Sequence, residues 1–347
     1  MTNKIKTFKN VEFLRFAMTW TIVWFHAWII KAFVDVGMPI NWATGGFKAV
    51  EMFFLIAGFF MFLKLHTEQS TWEFWKKKWV RLAPLVILSA LLTSFFLDGH
   101  FRTKELLEAL LIRTWGFFPI RGSLGGFQWF ICDLAFISLV YFYIAKSIPQ
   151  KYMNMVVFFI MYISANVMLF PGKNGGYILL DIDMARGFLY MGVGYFLANA
   201  YKSINSQNLL QNTGKTICYS IAEVSLFLFV MMNLFTLREK EASLQLAFIA
   251  LFLLFIHRKG WFSRLLEKDW AVLLGRYAYA IYCVHIFALQ ATAKFIVLPH
   301  KGFFAANHWA VFLISSVVVM ALAVLAHHFV EVPAIRWFGY KKSIEKV

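Results

Sequence analysis

Charge is scarce in this chain. Only 15% of its residues are Asp, Glu, Lys or Arg, against 61% hydrophobic, whereas a soluble domain carries about 25% charged. That shortage excludes a soluble domain along most of the length. Acidic residues are scarcer still, with 18 Asp and Glu against 34 Lys and Arg. The resulting excess would suit nucleic acid if it covered one soluble face. Instead the basic residues sit in short loops beside apolar runs, where the positive-inside rule accounts for them. No nucleic-acid partner is expected. Cysteine is rare as well: Cys132, Cys218 and Cys283 lie far apart inside apolar runs, which excludes a disulfide framework or a thiolate metal site. The chain has no HExxH pair, no GxSxG elbow and no glycine-rich phosphate loop. A zincin, an α/β-hydrolase and a P-loop nucleotidase are thereby excluded, and no metal is expected. His327 and His328 are adjacent, so on a helix they point about 100° apart and form no two-ligand face. There is neither an internal repeat nor a low-complexity segment.

What is abundant is the long apolar run. Several approach the about 20 residues that cross a bilayer, with 40 Phe and 13 Trp among them. The reading is an all-α integral membrane protein, a single transmembrane domain over 1–347. Its spans are expected at 11–33, 47–65, 79–97, 127–145, 153–170, 177–200, 216–236, 243–257, 271–297 and 308–331. These are about ten transmembrane helices, and an even number puts both termini on one side. With the N-terminus inside, nineteen Lys and Arg fall in inner segments and eight in outer loops, so both termini are expected to be cytoplasmic. Residues 1–9 are polar, and the apolar run after them is too long, and lacks the small-residue site, for a cleavable signal. Residues 103–114 (TKELLEALLIRT) are amphipathic, with Leu106, Leu107, Leu110 and Leu111 on one face, and are expected to lie on the membrane surface. Residues 121–126 (RGSLGG) read as a turn, and 67–78 (TEQSTWEFWKKK) as a short surface helix anchored by its tryptophans.

The chemistry begins in the first run, EFLRFAMTWTIVWFHAW over 12–28. Arg15 and His26 are eleven positions apart, which on a helix is about 20° beyond three full turns. Both therefore lie on one face, about 16 Å apart along the axis. An ionisable pair facing one way inside an apolar helix is costly and points to function, although a lone membrane histidine is also commonly just a satisfied polar side chain. In the inside-start topology Arg15 is near the cytoplasmic end and His26 is past the midplane. Imidazole titrates near neutrality and suits accepting a proton from a hydroxyl, while guanidinium is permanently charged and suits phosphate.

Other polar intrusions follow. Glu51 opens the second run and can support a histidine, bind a sugar hydroxyl, or pair with Lys48 at the interface. Arg81 follows Lys76, Lys77 and Lys78 by one turn and precedes Pro84, so it can join an anion site, whereas the lysines double as topology signals. Asp133 sits in an apolar run and needs a partner. Asp181, Asp183 and Arg186 can partly neutralise one another. Tyr282 and His285 in the ninth run and Glu331 at the end of the tenth complete a candidate polar interior.

These elements, in this order, resemble membrane-bound acyltransferase family 3, the bacterial sugar and polysaccharide O-acetyltransferase group. The resemblance rests on Arg15 and His26 with ten residues between them; on AVEMFFLIAGF over 49–59, against the family's GVDLFFVLSGF; and on Arg81-Leu82-Ala83-Pro84. It also rests on the element from Leu274 to His285 and on Glu331-Val332-Pro333. Glu51 stands for the usual Asp, Ala57 for Ser, and Lys78 where a second arginine is common. The resemblance implies a ten-helix core in the bacterial cytoplasmic membrane, without a fused hydrolase-like domain. It implies acyl transfer, most simply acetyl, from cytoplasmic acetyl-CoA to a hydroxyl of a cell-surface polysaccharide or lipid-linked glycan precursor. Acetyl-CoA would be a donor substrate and not a bound cofactor. In that scheme His26 is general base or acyl relay, and Glu51 supports the acceptor or His26. Arg15, Arg81 and Lys78 grip the coenzyme A phosphates. Asp133, Tyr282, His285 and Glu331 line the interior. The partners are acyl-CoA, glycan acceptor and membrane lipid, with a homodimer one option for assembly. Charged residues inside ten spans also suit a transporter or flippase for an anionic or glycan substrate. The topology is open to direct test: a reporter active only in the cytoplasm should work when fused at either terminus and fail when fused after residue 174.

Overall fold

The computed structural model describes residues 8–38, 42–65, 67–98, 110–111, 128–170, 176–177, 180–205, 213–236 and 241–338. Among the described residues a helix overlaps each of the ten expected runs. The helices are α1 (Lys9–Trp28), the short α2 (Lys31–Val34), α3 (Ala49–Leu63), α4 (Thr71–Thr93), α5 (Gln128–Ser147), α6 (Gln150–Leu169) and α7 (Ile182–Asn205). After these come α8 (Thr213–Thr236), α9 (Glu241–His257), the short α10 (Trp261–Leu265), α11 (Asp269–Thr292), α12 (Lys301–Ala306), α13 (His308–Ala326) and α14 (Val332–Phe338). A two-stranded antiparallel ladder, β1 (Gly176–Tyr177) and β2 (Leu180–Asp181), precedes α7. Among the described residues seven helices are long and apolar enough to cross a membrane. Exposed Phe158, Phe159 and Tyr162 on α6, and Ile217, Ile221, Leu228 and Met232 on α8, give those helices apolar outer faces suited to acyl chains.

The helices form two compact units. The first holds α1, α2, α8, α9, α10, α12, α11 through His285 and α13 through Met320. Its α1 buries Val11, Leu14, Met18 and Ile22, a stripe spaced for one helical face. The Asn10 side chain donates to the Phe255 carbonyl at 2.6 Å and so ties α1 to α9. Lys9 reaches Asp269 at 2.6 Å. On α8, Glu223 accepts from the main-chain N–H of Gly260 at 3.1 Å and of Ser263 at 2.9 Å, and from the Ser263 hydroxyl at 2.7 Å. A buried carboxylate thus satisfies the orphan donors at the start of α10.

The second unit holds α3 to α7, residues 286–291 of α11, and the chain beyond Ala321 through α14. Here α3 and α7 approach backbone to backbone. A Cβ on Gly58 would run into the main chain of Met191, and one on Gly194 would meet Leu55 and Phe59. Small residues permit such contact where lipid supplies no hydrophobic drive between helices. Tyr141 donates to the Phe188 carbonyl at 2.7 Å, joining α5 to α7. Phe74 and Phe142 stack at 4.2 Å, joining α4 to α5.

Two expectations meet the structure differently. The stretch 67–78 is not a separate surface helix: α4 begins at Thr71 and runs unbroken past Pro84. Ser70 and Glu73 form a reciprocal capping box at 3.1 and 3.0 Å, which starts the helix that far upstream. The amphipathic stretch 103–114, apart from 110–111, and the turn 121–126 lie outside the described residues. Three helices also close in wide turns, Ser94–Asp98 after α4, Ala293–Val297 after α11 and His327–Glu331 after α13. Gly58→Val should cost about 1–3 kcal/mol by overpacking and lower the thermal midpoint of the detergent-purified protein. Gly302→Ala, with open space around it, should leave the midpoint unchanged.

Candidate active site

His26 occupies the last turns of α1. Its Nδ1 lies 2.9 Å from the Ile22 carbonyl one turn back and 3.2 Å from Nε2 of His285 on α11. The two rings are 4.9 Å apart between centroids. His285 is completely buried, and its own Nδ1 is 2.6 Å from the Tyr282 carbonyl. Tyr282 is buried as well, its ring 5.6 Å from that of His285. The approach of α1 to α11 depends on Gly275, where a Cβ would meet the Cβ of Glu12 at 2.5 Å. The histidines of the first and ninth runs, separated by 259 positions, are thus brought into hydrogen-bonding contact.

Arg15 keeps its place three turns earlier on α1. Its Nη1 pairs with Glu12 at 2.8 Å, and both side chains are partly exposed, at 23% and 29%. A guanidinium carries five N–H donors, so this contact with Glu12 is compatible with anion binding. Glu12, in the first run but outside the sequence-derived site, is thereby the neighbour that orients the arginine. The signal for it was the i,i+3 spacing.

The second unit holds the remaining candidates. Glu51 on α3 is fully buried and accepts from Arg186 on α7, at 3.2 Å from Nε and 3.1 Å from Nη2. Arg186 also reaches Asp183 at 3.3 Å, and its guanidinium lies over the Trp129 ring at 5.7 Å. Asp181, just before α7, accepts from the Met184 N–H at 2.8 Å and caps the helix. Lys78 donates to Ser138 at 2.9 Å, and Arg81 follows it by one turn on α4. Asp133 is fully buried on α5. Glu331 pairs with Nδ1 of His327 at 2.8 Å inside the wide turn that ends α13, both side chains nearly buried. Among the described residues no cluster of His, Cys, Asp and Glu is arranged to hold a metal.

Apolar helices of spanning length, carrying buried ion pairs and a histidine pair, define a multi-pass membrane protein. A family model described as an acyltransferase domain, Acyl_transf_3, matches residues 8–328. The chain belongs to that family, the membrane-bound acyltransferases of family 3, and so the fold houses an acyltransferase. No curated protein and no solved structure matches it.

The buried pair of Glu51 and Arg186 has a measurable cost of disruption. Arg186→Met leaves a buried carboxylate without its guanidinium and should destabilise the protein by about 3–5 kcal/mol. Adding Glu51→Gln should restore part of that loss, as read from thermal midpoints of the single and double variants.

Proposed function

We propose that this enzyme transfers an acetyl group from cytoplasmic acetyl-CoA to a hydroxyl of a cell-surface polysaccharide or of its lipid-linked precursor, in the cytoplasmic membrane of a bacterium. The observation that carries the reading is the common face of α1, with Arg15 toward one end and His26, hydrogen-bonded to His285, toward the other. The family supplies acyl transfer. The length of α1 between the two residues, about 16 Å, suits a donor with a phosphorylated end and a distant thioester. The transporter reading offers no role for an acyltransferase fold.

In this reading the His26 imidazole takes the proton from the acceptor hydroxyl as its oxygen attacks the thioester carbon. The carbon–sulfur bond breaks as the tetrahedral intermediate collapses. The proton then passes from His26 to the departing sulfur, so that coenzyme A leaves as the thiol. Arg15 holds phosphate at the cytoplasmic end by charge-assisted hydrogen bonds. The same chemistry is assigned to Lys78 and Arg81 on α4. Glu51 acts through Arg186, holding the arginine between α3 and α7. His26→Ala should abolish acetyl transfer to surface glycan, read by mass spectrometry of the glycan, while the variant still purifies as a monodisperse membrane protein. Wild-type transfer by that variant would sink the mechanism.

A further inference from the structure

The two histidines do not play equal parts. Nδ1 of His26 faces the Ile22 carbonyl at 2.9 Å, and Nδ1 of His285 faces the Tyr282 carbonyl at 2.6 Å. A carbonyl oxygen only accepts, so each Nδ1 carries its ring's hydrogen, and in a neutral imidazole the lone pair then belongs to Nε2. The contact between the rings runs from His285 Nε2 to His26 Nδ1 at 3.2 Å. It is therefore a donor meeting a lone pair, and the His26 Nδ1–H is shared between Ile22 and His285. The reverse tautomer of His26 would set its lone pair against two acceptors.

We propose that His285 is a positioning residue that, together with the Ile22 carbonyl, fixes the tautomer of His26, leaving Nε2 of His26 as the atom that takes the substrate proton. This rests on the reading of His26 as the base. The arrangement reproduces, with two neutral rings, what a carboxylate does behind a catalytic histidine. It avoids placing a further charge in an apolar helix, where an unpaired carboxylate is expensive. When His26 becomes an imidazolium, its Nδ1–H already has two acceptors in place, so no reorganisation accompanies proton transfer. His285 is itself held by the main chain of its own helix and is completely buried. It touches His26 and need not touch substrate.

The arrangement is tested on the full-length protein in lipid nanodiscs, with histidine side chains labelled with nitrogen-15. The wild-type spectrum should show His26, identified by the signals lost in His26→Gln, with a protonated Nδ1 and an unprotonated Nε2. In His285→Leu the same ring should show a mixture of tautomers. Release of coenzyme A from acetyl-CoA should fall about 100-fold in kcat for His285→Leu, within the range of general-base effects, with KM for acetyl-CoA within about twofold. His285→Gln keeps an acceptor oxygen at the ε position and should stay within about fivefold of wild type in kcat. A wild-type His26 protonated at Nε2 would overturn the proposal, as would equal turnover by the Leu and Gln variants. Retained activity in His26→Ala would overturn the general-base reading alone, because the wild-type spectrum decides the tautomer without any turnover.

Discussion

A polar side chain inside an apolar helix has no water to fall back on, and its partner must come from the protein. The hydrogen bond between His26 and His285 satisfies that demand for two rings at once. The first and ninth apolar runs are joined at this point. The main-chain carbonyls of Ile22 and Tyr282 take part as well, so helix backbone and side chain together set the direction of the pair.

The second unit meets the same demand by a different route, with charge against charge. Glu51 and Arg186 are both buried, and Asp183 and Trp129 flank the guanidinium. A pair of this kind is weak evidence for stability, since replacing both members by apolar residues is often neutral while removing one is not. It joins α3 to α7 alongside the glycine contacts. Gly58 and Gly194 set how closely the two backbones approach.

Much of this was legible in the sequence where the governing rule is local. Helical periodicity put Arg15 and His26 on one face, and hydropathy located the long helices among the described residues. The i,i+3 relation of Asp183 and Arg186 was equally visible. Partners far apart in the chain were not. Nothing in the residues near Glu51 indicated a guanidinium 135 positions away, so Lys48 and a histidine were the neighbours the sequence offered. The contact of His285 with His26 depends on α1 and α11 meeting at Gly275, which is a tertiary event. The helix α4 starts at Thr71, upstream of the hydrophobic pattern that marks it in the sequence. The capping box at Ser70 and Glu73 decides the start, and Trp72 to Lys78 form the first turns of the helix rather than a separate one.

The wide turn His327–Glu331 has a consequence for the end of the chain. Such a turn inserts one residue into an otherwise regular helix, so everything after it is rotated by about 100° relative to an uninterrupted spiral. The pairing of His327 with Glu331 spans that insertion. Phase is therefore as much a part of the end of α13 as residue identity. Deleting a single residue between Ala326 and Val332 would absorb the wide turn into a regular helix and leave α14 on the side it now presents, whereas deleting one residue from the regular part of α13 would turn α14 by about 100°. Alignments that slide across this position by one residue would score well and match the wrong faces.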